Sequence, residues 1–239
     1  MDVHPPQHPL HTWSDFWIHL GTISIGLVIA LGLEATAQWM HRVHRTHILE
    51  AALHAETQRN DLYIGNGILA ARYTSSQLQQ QLFRAEAALP GAKNTASPPP
   101  LAPAPPDTGT SPDTAVWDSA RQSASIALLP DDLAQQYSDN YAEAEFCQQM
   151  FRKAAERLEA VRAFRRTIPN QPLTGEPDLR TFSPDQLRDY ISLQAAAIES
   201  LLSAASNLQF YRVHNLCILQ GARTSDAMAS CLRNNYPKR

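Results

Sequence analysis

The chain has 239 residues, of which 44% are apolar and 18% charged, with a formal net charge of −3. That length suits one folded domain with appendages, and the near balance of charge argues against a general nucleic-acid binder. Three cysteines exclude a disulfide-rich secreted scaffold and a four-cysteine zinc site, and no phosphate loop, nucleotide fingerprint or catalytic motif is present.

Residues 1–15 form an N-terminal tail in which His4, His8 and His11 lie among prolines without fixed geometry. Residues 16–39 read FWIHLGTISIGLVIALGLEATAQW, uncharged from Leu20 to Leu33. As a helix this segment is about 36 Å long, enough to cross a hydrocarbon core of about 30 Å with some tilt. Trp13, Phe16 and Trp17 at one end and Trp39 at the other match interfacial belts. Two other readings compete. A buried core helix is disfavoured by apolar residues on all faces. A cleaved signal peptide is suggested by Ala35-Thr36-Ala37, but residues 1–17 carry no Lys or Arg and two Asp, and Glu34 sits just before the site.

Thr22, Gly26, Ala30 and Glu34 recur every four residues, followed by Gln38, and make one slowly drifting stripe. Small residues on a stripe let a second helix approach closely, although Gly and Ala are also frequent in membrane helices generally. Glu34 is the one formal charge in the span. It either faces a partner helix or snorkels to the interface. His19 near the other interface is a remote candidate for a haem or pigment ligand. Arg42 and Arg45 follow the span, Arg59 comes later, and no Lys or Arg precedes it. The positive-inside rule then puts the rest of the chain in the cytoplasm.

Residues 40–89 form the juxtamembrane stretch and first bundle helix, with Ile48, Ala52, Ala55, Leu62, Leu69, Tyr73, Leu78, Leu82 and Leu89 as helical signals. Gly65 and Gly67 weaken or bend its middle. His41, His44 and His47, with Glu50 continuing the series, share a face only loosely, so a polar interfacial helix is favoured over a zinc or haem site. Residues 90–112 hold eight of the 17 prolines and read as a disordered or extended linker.

The helical bundle spans 113–234. A short helix at 113–129 carries Trp117, Ala120, Ala124 and Leu128 on one side. Pro130-Asp131-Asp132 opens a long helix to about Thr167. Its end is basic (Arg152, Lys153, Arg157, Arg162, Arg165, Arg166), with Glu156 and Glu159 interleaved as ion-pair partners. Ser183-Pro184-Asp185-Gln186 is a capping-box pattern that opens a second long helix, stopped at Gly221. A last short helix starts at Ser225-Asp226, and residues 235–239 are a tail. Cys217 and Cys231 flank the turn and are close enough in a hairpin for a disulfide, which would require an oxidising compartment. Alternatively all three cysteines are small apolar residues.

WIHLGTISIGLVIALGLEATAQW, followed by LEAALHAETQRNDL with Glu56 and Asn60 four apart, resembles a group of uncharacterised single-pass bacterial membrane proteins. WDSARQSASIALLPDDLAQQYSDNY is similar to that group's middle region. The resemblance implies a helical membrane-anchored protein of unassigned function and brings no active-site residues; the location expected is a bacterial inner membrane.

The fold expected is all-α: one N-terminal transmembrane helix followed by an antiparallel bundle of long helices. The function expected is that of a non-enzymatic interaction module or accessory subunit of a membrane assembly, with a ligand-binding signal transducer as the alternative. The partners expected are the lipid bilayer and a membrane protein or second copy met through residues 16–39. No cofactor, metal or nucleic acid is expected.

Overall fold

The computed structural model of the chain describes residues 13–92, 97–105, 112–172 and 175–236. The tail histidines His4, His8 and His11 lie outside them. Five α-helices and two short 3-10 turns make up the regular structure, with no strand among the described residues. The α-helices are α1 (Trp13–Ala87), α2 (Ala115–Gln122), α3 (Asp131–Arg166), α4 (Pro184–Leu219) and α5 (Ser225–Asn235). The chain divides into two compact units, residues 1–50 and 51–239.

In the first unit α1 has no covering element. The most apolar window of the helix is entirely unburied, and no atom lies within 4 Å of a Cβ built at Gly21, Gly26 or Gly32. Both threonine hydroxyls of the segment are satisfied within the helix, Thr22 Oγ1 donating to Ile18 O at 2.8 Å and Thr36 Oγ1 to Gly32 O at 2.7 Å. Among the described residues, one helix is therefore long and apolar enough to cross a membrane.

In the second unit α1, α3 and α4 form a three-helix bundle. Glu56 meets Tyr141, and Gly67 sits near Phe151, so α1 and α3 run the same way. Thr57 meets Asn215, Asp61 meets Arg212, and Gln81 meets Gln194, so α4 runs antiparallel to α1. Asn140 with Asn215, and Phe164 with Tyr190, show α4 antiparallel to α3 as well.

The linker explains the parallel pair. Gln80 Nε2 donates to Pro99 O at 3.0 Å, Ala102 N donates to Ser76 Oγ at 2.9 Å, and Asp113 pairs with Asn60. As linker numbers rise, α1 numbers fall. Residues 97–105 lie as a strap along α1, and the chain has returned along that helix by Asp113, so α3 starts at the same end as residue 51. Backbone groups of Pro99, Ala102 and Asp113 are answered by α1 side chains, which holds these residues to the surface.

Local chemistry accounts for the helix ends. Ser183 Oγ accepts from Gln186 N and Gln186 Oε1 accepts from Ser183 N, a complete capping box with Pro184 in the first turn. Gly221 takes φ +85° and ends α4, while Ala222 N returns to Cys217 O at 3.1 Å.

α1 is continuous through Gly65 and Gly67 to Ala87. One expectation is corrected. The helix expected over 113–129 ends at Gln122. Ser123 Oγ donates to Ser119 O, and Ala124 takes φ 55°, so residues 125–128 form a 3-10 turn instead. A hydroxyl competing for the last carbonyls is the usual reason serine ends a short helix.

The main apolar core combines small and large residues: Ala71, Leu78, Ala85, Ala154, Val161, Leu187, Tyr190, Ala197 and Leu201. A second cluster joins Ile64, Ile68, Ala144, Cys147, Leu208 and Tyr211.

Candidate functional site

Four features are candidates: the uncovered segment of α1, the side chains just after it, a groove between α1 and α4, and a buried polar cluster. Each is built by α1.

On the uncovered segment, Thr22, Gly26, Ala30 and Glu34 all lie exposed, as do Trp13, Trp17 and Trp39. Glu34 Oε1 accepts from Gln38 Nε2 at 3.1 Å. The carboxylate thus has a partner one turn on, which lowers the cost of placing it near an apolar medium. Trp13, Phe16 and Trp17 form an edge-on aromatic group at the start of the helix. The next stretch exposes His41, Arg42, His44, Arg45 and His47. Among the described residues no group of three or more His, Cys, Asp or Glu side chains is disposed to hold a metal ion.

The groove lies between residues 61–72 of α1 and 209–216 of α4 and has a volume of about 560 Å³. Its apolar lining comes from Leu62, Ile68, Leu69, Val213 and Leu216, and Arg212 closes one side by pairing with Asp61 at 3.2 Å. Leu62 is 70% exposed. Of the residues that signal the helix in the sequence, Ile48, Leu62 and Leu69 face outward whereas Leu78 is buried, and the buried stripe before it is Leu53, Glu56, Thr57, Asn60, Ile64, Ile68 and Ala71.

That stripe carries polar groups that find partners on other elements. Glu56 is fully buried. Its carboxylate accepts from Val116 N at 2.7 Å and from Trp117 N at 3.3 Å, and the Tyr141 hydroxyl donates to it. These backbone N–H groups belong to the first turn of α2, whose own N-cap residue, Thr114, makes no capping bond. Glu56 is thus a cap supplied from another helix. Asn60 holds the residue before that cap from both sides, donating to Asp113 O and accepting from Asp113 N, both at 2.8 Å. Trp117 stacks on Tyr141 with centroids 4.9 Å apart. Asn215 Nδ2 donates to Thr57 O at 2.9 Å, and His214 Nδ1 lies 3.2 Å from Glu143 Oε2.

Burial and the neighbouring Glu56 push the Tyr141 hydroxyl far above its ordinary pKa. Burial, with Cys147 and Glu143 adding to it, raises Tyr211, and burial lifts Tyr190 to about 12. Cys147 is a free, buried thiol raised to about 12 by burial and by Glu143. All four groups stay neutral at physiological pH, so none is an activated nucleophile.

Cys217 and Cys231 are joined by a disulfide, with Cα atoms 5.8 Å apart. It ties α5 to the end of α4. At the other end of the bundle, Arg162, Arg165 and Arg166 line a pocket of about 650 Å³ with the 168–172 loop. Arg166 and Arg162 pair with Glu159, and Arg165 donates to Pro172 O and Gly175 O. Arg165 braces the loop from the α3 C-terminus, where cations are favoured.

The buried polar cluster was not legible as such. Its signal was Glu56, Thr57 and Asn60 falling in register with Leu53 and Ile64, which marks a core position occupied by a polar residue. Glu56 meets Val116, Trp117 and Tyr141, and Asn60 meets Asp113, in one clamp.

No family model, no curated protein and no solved structure matches this chain.

Proposed function

We propose that the protein is a single-pass membrane protein, without catalytic activity of its own, whose helical unit serves as an interaction module or accessory subunit of a membrane assembly. The observation that carries this reading is the uncovered apolar segment of α1, in which Thr22, Thr36, Glu34 and Gln38 are hydrogen-bonded within the helix. Water does not support such a surface, whereas a bilayer does. The stripe of Thr22, Gly26, Ala30 and Glu34 then offers another helix a close approach within the bilayer. The α1–α4 groove, with Leu62 at its rim, adds an apolar surface on the helical unit.

The test is purification of the full-length chain in mild detergent after crosslinking in membranes. Recovery within a larger assembly, lost when Gly26 and Ala30 are replaced by Leu, supports the reading. Recovery solely as a monomer opposes it, and full solubility without detergent removes the anchor.

Two signals bear on sidedness in opposite senses. Arg42, Arg45 and Arg59 after the span favour a cytoplasmic helical unit. The Cys217–Cys231 disulfide favours an oxidising compartment. We give the covalent link more weight than a bias of three arginines and place the unit outside the cytoplasm, at a bacterial inner membrane. That placement and the groove favour a second reading, a sensor whose bundle binds a small ligand. A thiol-accessibility topology map decides: cytoplasmic labelling of introduced cysteines eliminates the sensor.

A further inference from the structure

We propose that His41, Arg42, His44, Arg45 and His47 form a collar that binds the anionic headgroups of phospholipids in the leaflet where α1 leaves the bilayer. The inference rests on the reading of residues 16–39 as lipid-embedded and goes beyond it by naming the lipid chemistry.

The first argument is azimuth. At about 100° per residue, and taking His41 as zero, Arg45 stands at about 40°, Arg42 at about 100°, His47 at about 240° and His44 at about 300°. The five side chains spread over about 220° of the helix circumference, wider than a single packing face, and all five are exposed. A belt of that breadth suits lipid headgroups, which lie on every side of a membrane-spanning helix.

The second argument is charge. From Ala35 to Leu49 there is no acidic residue, and neither Arg42 nor Arg45 is paired with a carboxylate among the described residues. Glu34, the nearest acid before the collar, is engaged by Gln38. The two guanidinium groups can therefore bind phosphodiester oxygens in bidentate fashion, with imidazole N–H groups as further donors. The collar begins two residues after Trp39, the ring that marks the interface at this end. Basic groups at that depth attract an anionic surface within a Debye length.

The experiment uses the full-length chain carrying Trp13→Phe and Trp17→Phe, so that Trp39 is the tryptophan next to lipid. It is reconstituted in vesicles of phosphatidylcholine with phosphatidylglycerol, with bromine placed on the acyl chains of one lipid or the other. Brominated phosphatidylglycerol should quench Trp39 roughly two- to fivefold more effectively than brominated phosphatidylcholine at equal mole fraction. The preference should disappear in the variant R42Q/R45Q/H41Q/H44Q/H47Q and weaken in high salt. Equal quenching by the two lipids, or a preference that survives in the variant, overturns the collar while leaving the anchor intact. Absence of quenching by either lipid overturns the anchor and the collar together.

Discussion

Gly65 and Gly67 lie two residues apart in one continuous helix, so replacing either with alanine brings the same gain in helix propensity, about 1 kcal/mol. Their surroundings differ. A Cβ at Gly65 meets nothing closer than 3.9 Å, the Arg212 guanidinium carbon, which is ordinary contact. A Cβ at Gly67 stands 2.9 Å from Leu208 Cδ1, and Leu208 is itself buried in the second apolar cluster. Overpacking of that kind costs about 1–3 kcal/mol. Gly65→Ala should therefore stabilise the helical unit by about 1 kcal/mol, while Gly67→Ala should range from neutral to about 2 kcal/mol destabilised. For a domain of this size the two variants should differ by about 2–12 °C in midpoint, read by circular dichroism of the full-length protein in detergent. If Gly67→Ala raises the midpoint as much as Gly65→Ala, then α1 and α4 do not approach closely at Leu208, and the register between the two helices is wrong.

Glu56→Ala removes the acceptor from two backbone N–H groups and from the Tyr141 hydroxyl. At about 1–3 kcal/mol for each buried donor left unmet, it should cost at least about 3 kcal/mol in denaturant unfolding, and a cost below about 1 kcal/mol would mean that the clamp is not closed. Replacing Cys217 and Cys231 with serine opens a loop with a sequence separation of 14. It should lower stability by about 3 kcal/mol and speed hydrogen exchange in α5; unchanged exchange at 225–235 would show α5 held by packing alone. Tyr141, Tyr190 and Tyr211 have pKa values raised in the folded state, so their contribution is complete below the unfolded value near 10 and declines as pH rises beyond it. Stability should then fall by up to about 1.4 kcal/mol per pH unit for each tyrosine, and Tyr190→Phe should flatten that slope; an equal slope in wild type and variant would refute the assignment.

The helix ends were readable because capping is local. Ser183 and Gln186, three residues apart, contain the whole device, and Pro130 with two aspartates marks the start of α3. The bundle face of α1 was readable in its later half, where Leu78 and Leu82 join the core, but not in its earlier half. There Leu62 and Leu69 are exposed, while Glu56 and Asn60 are buried and are satisfied by residues that local pattern cannot supply: Trp117 and Tyr141 for Glu56, Asp113 for Asn60. The run of helical positions at 113–129 likewise hid the break at Ala124, which depends on one serine hydroxyl. The strap was readable as extended but not as attached, since its partners, Gln80 and Ser76, carry no distinctive signal.

The Thr57–Asn215 bond has a consequence for biosynthesis. The two residues are 158 positions apart, and at roughly 5–20 residues per second a ribosome needs roughly 8–32 s to pass from one to the other. Throughout that interval the nascent helix carries Glu56, Thr57 and Asn60 with their final partners unmade or only partly made. The finished bundle is therefore assembled after translation nears its end, and a holdase acting on the newborn chain would find its target in the early emergence of this helix.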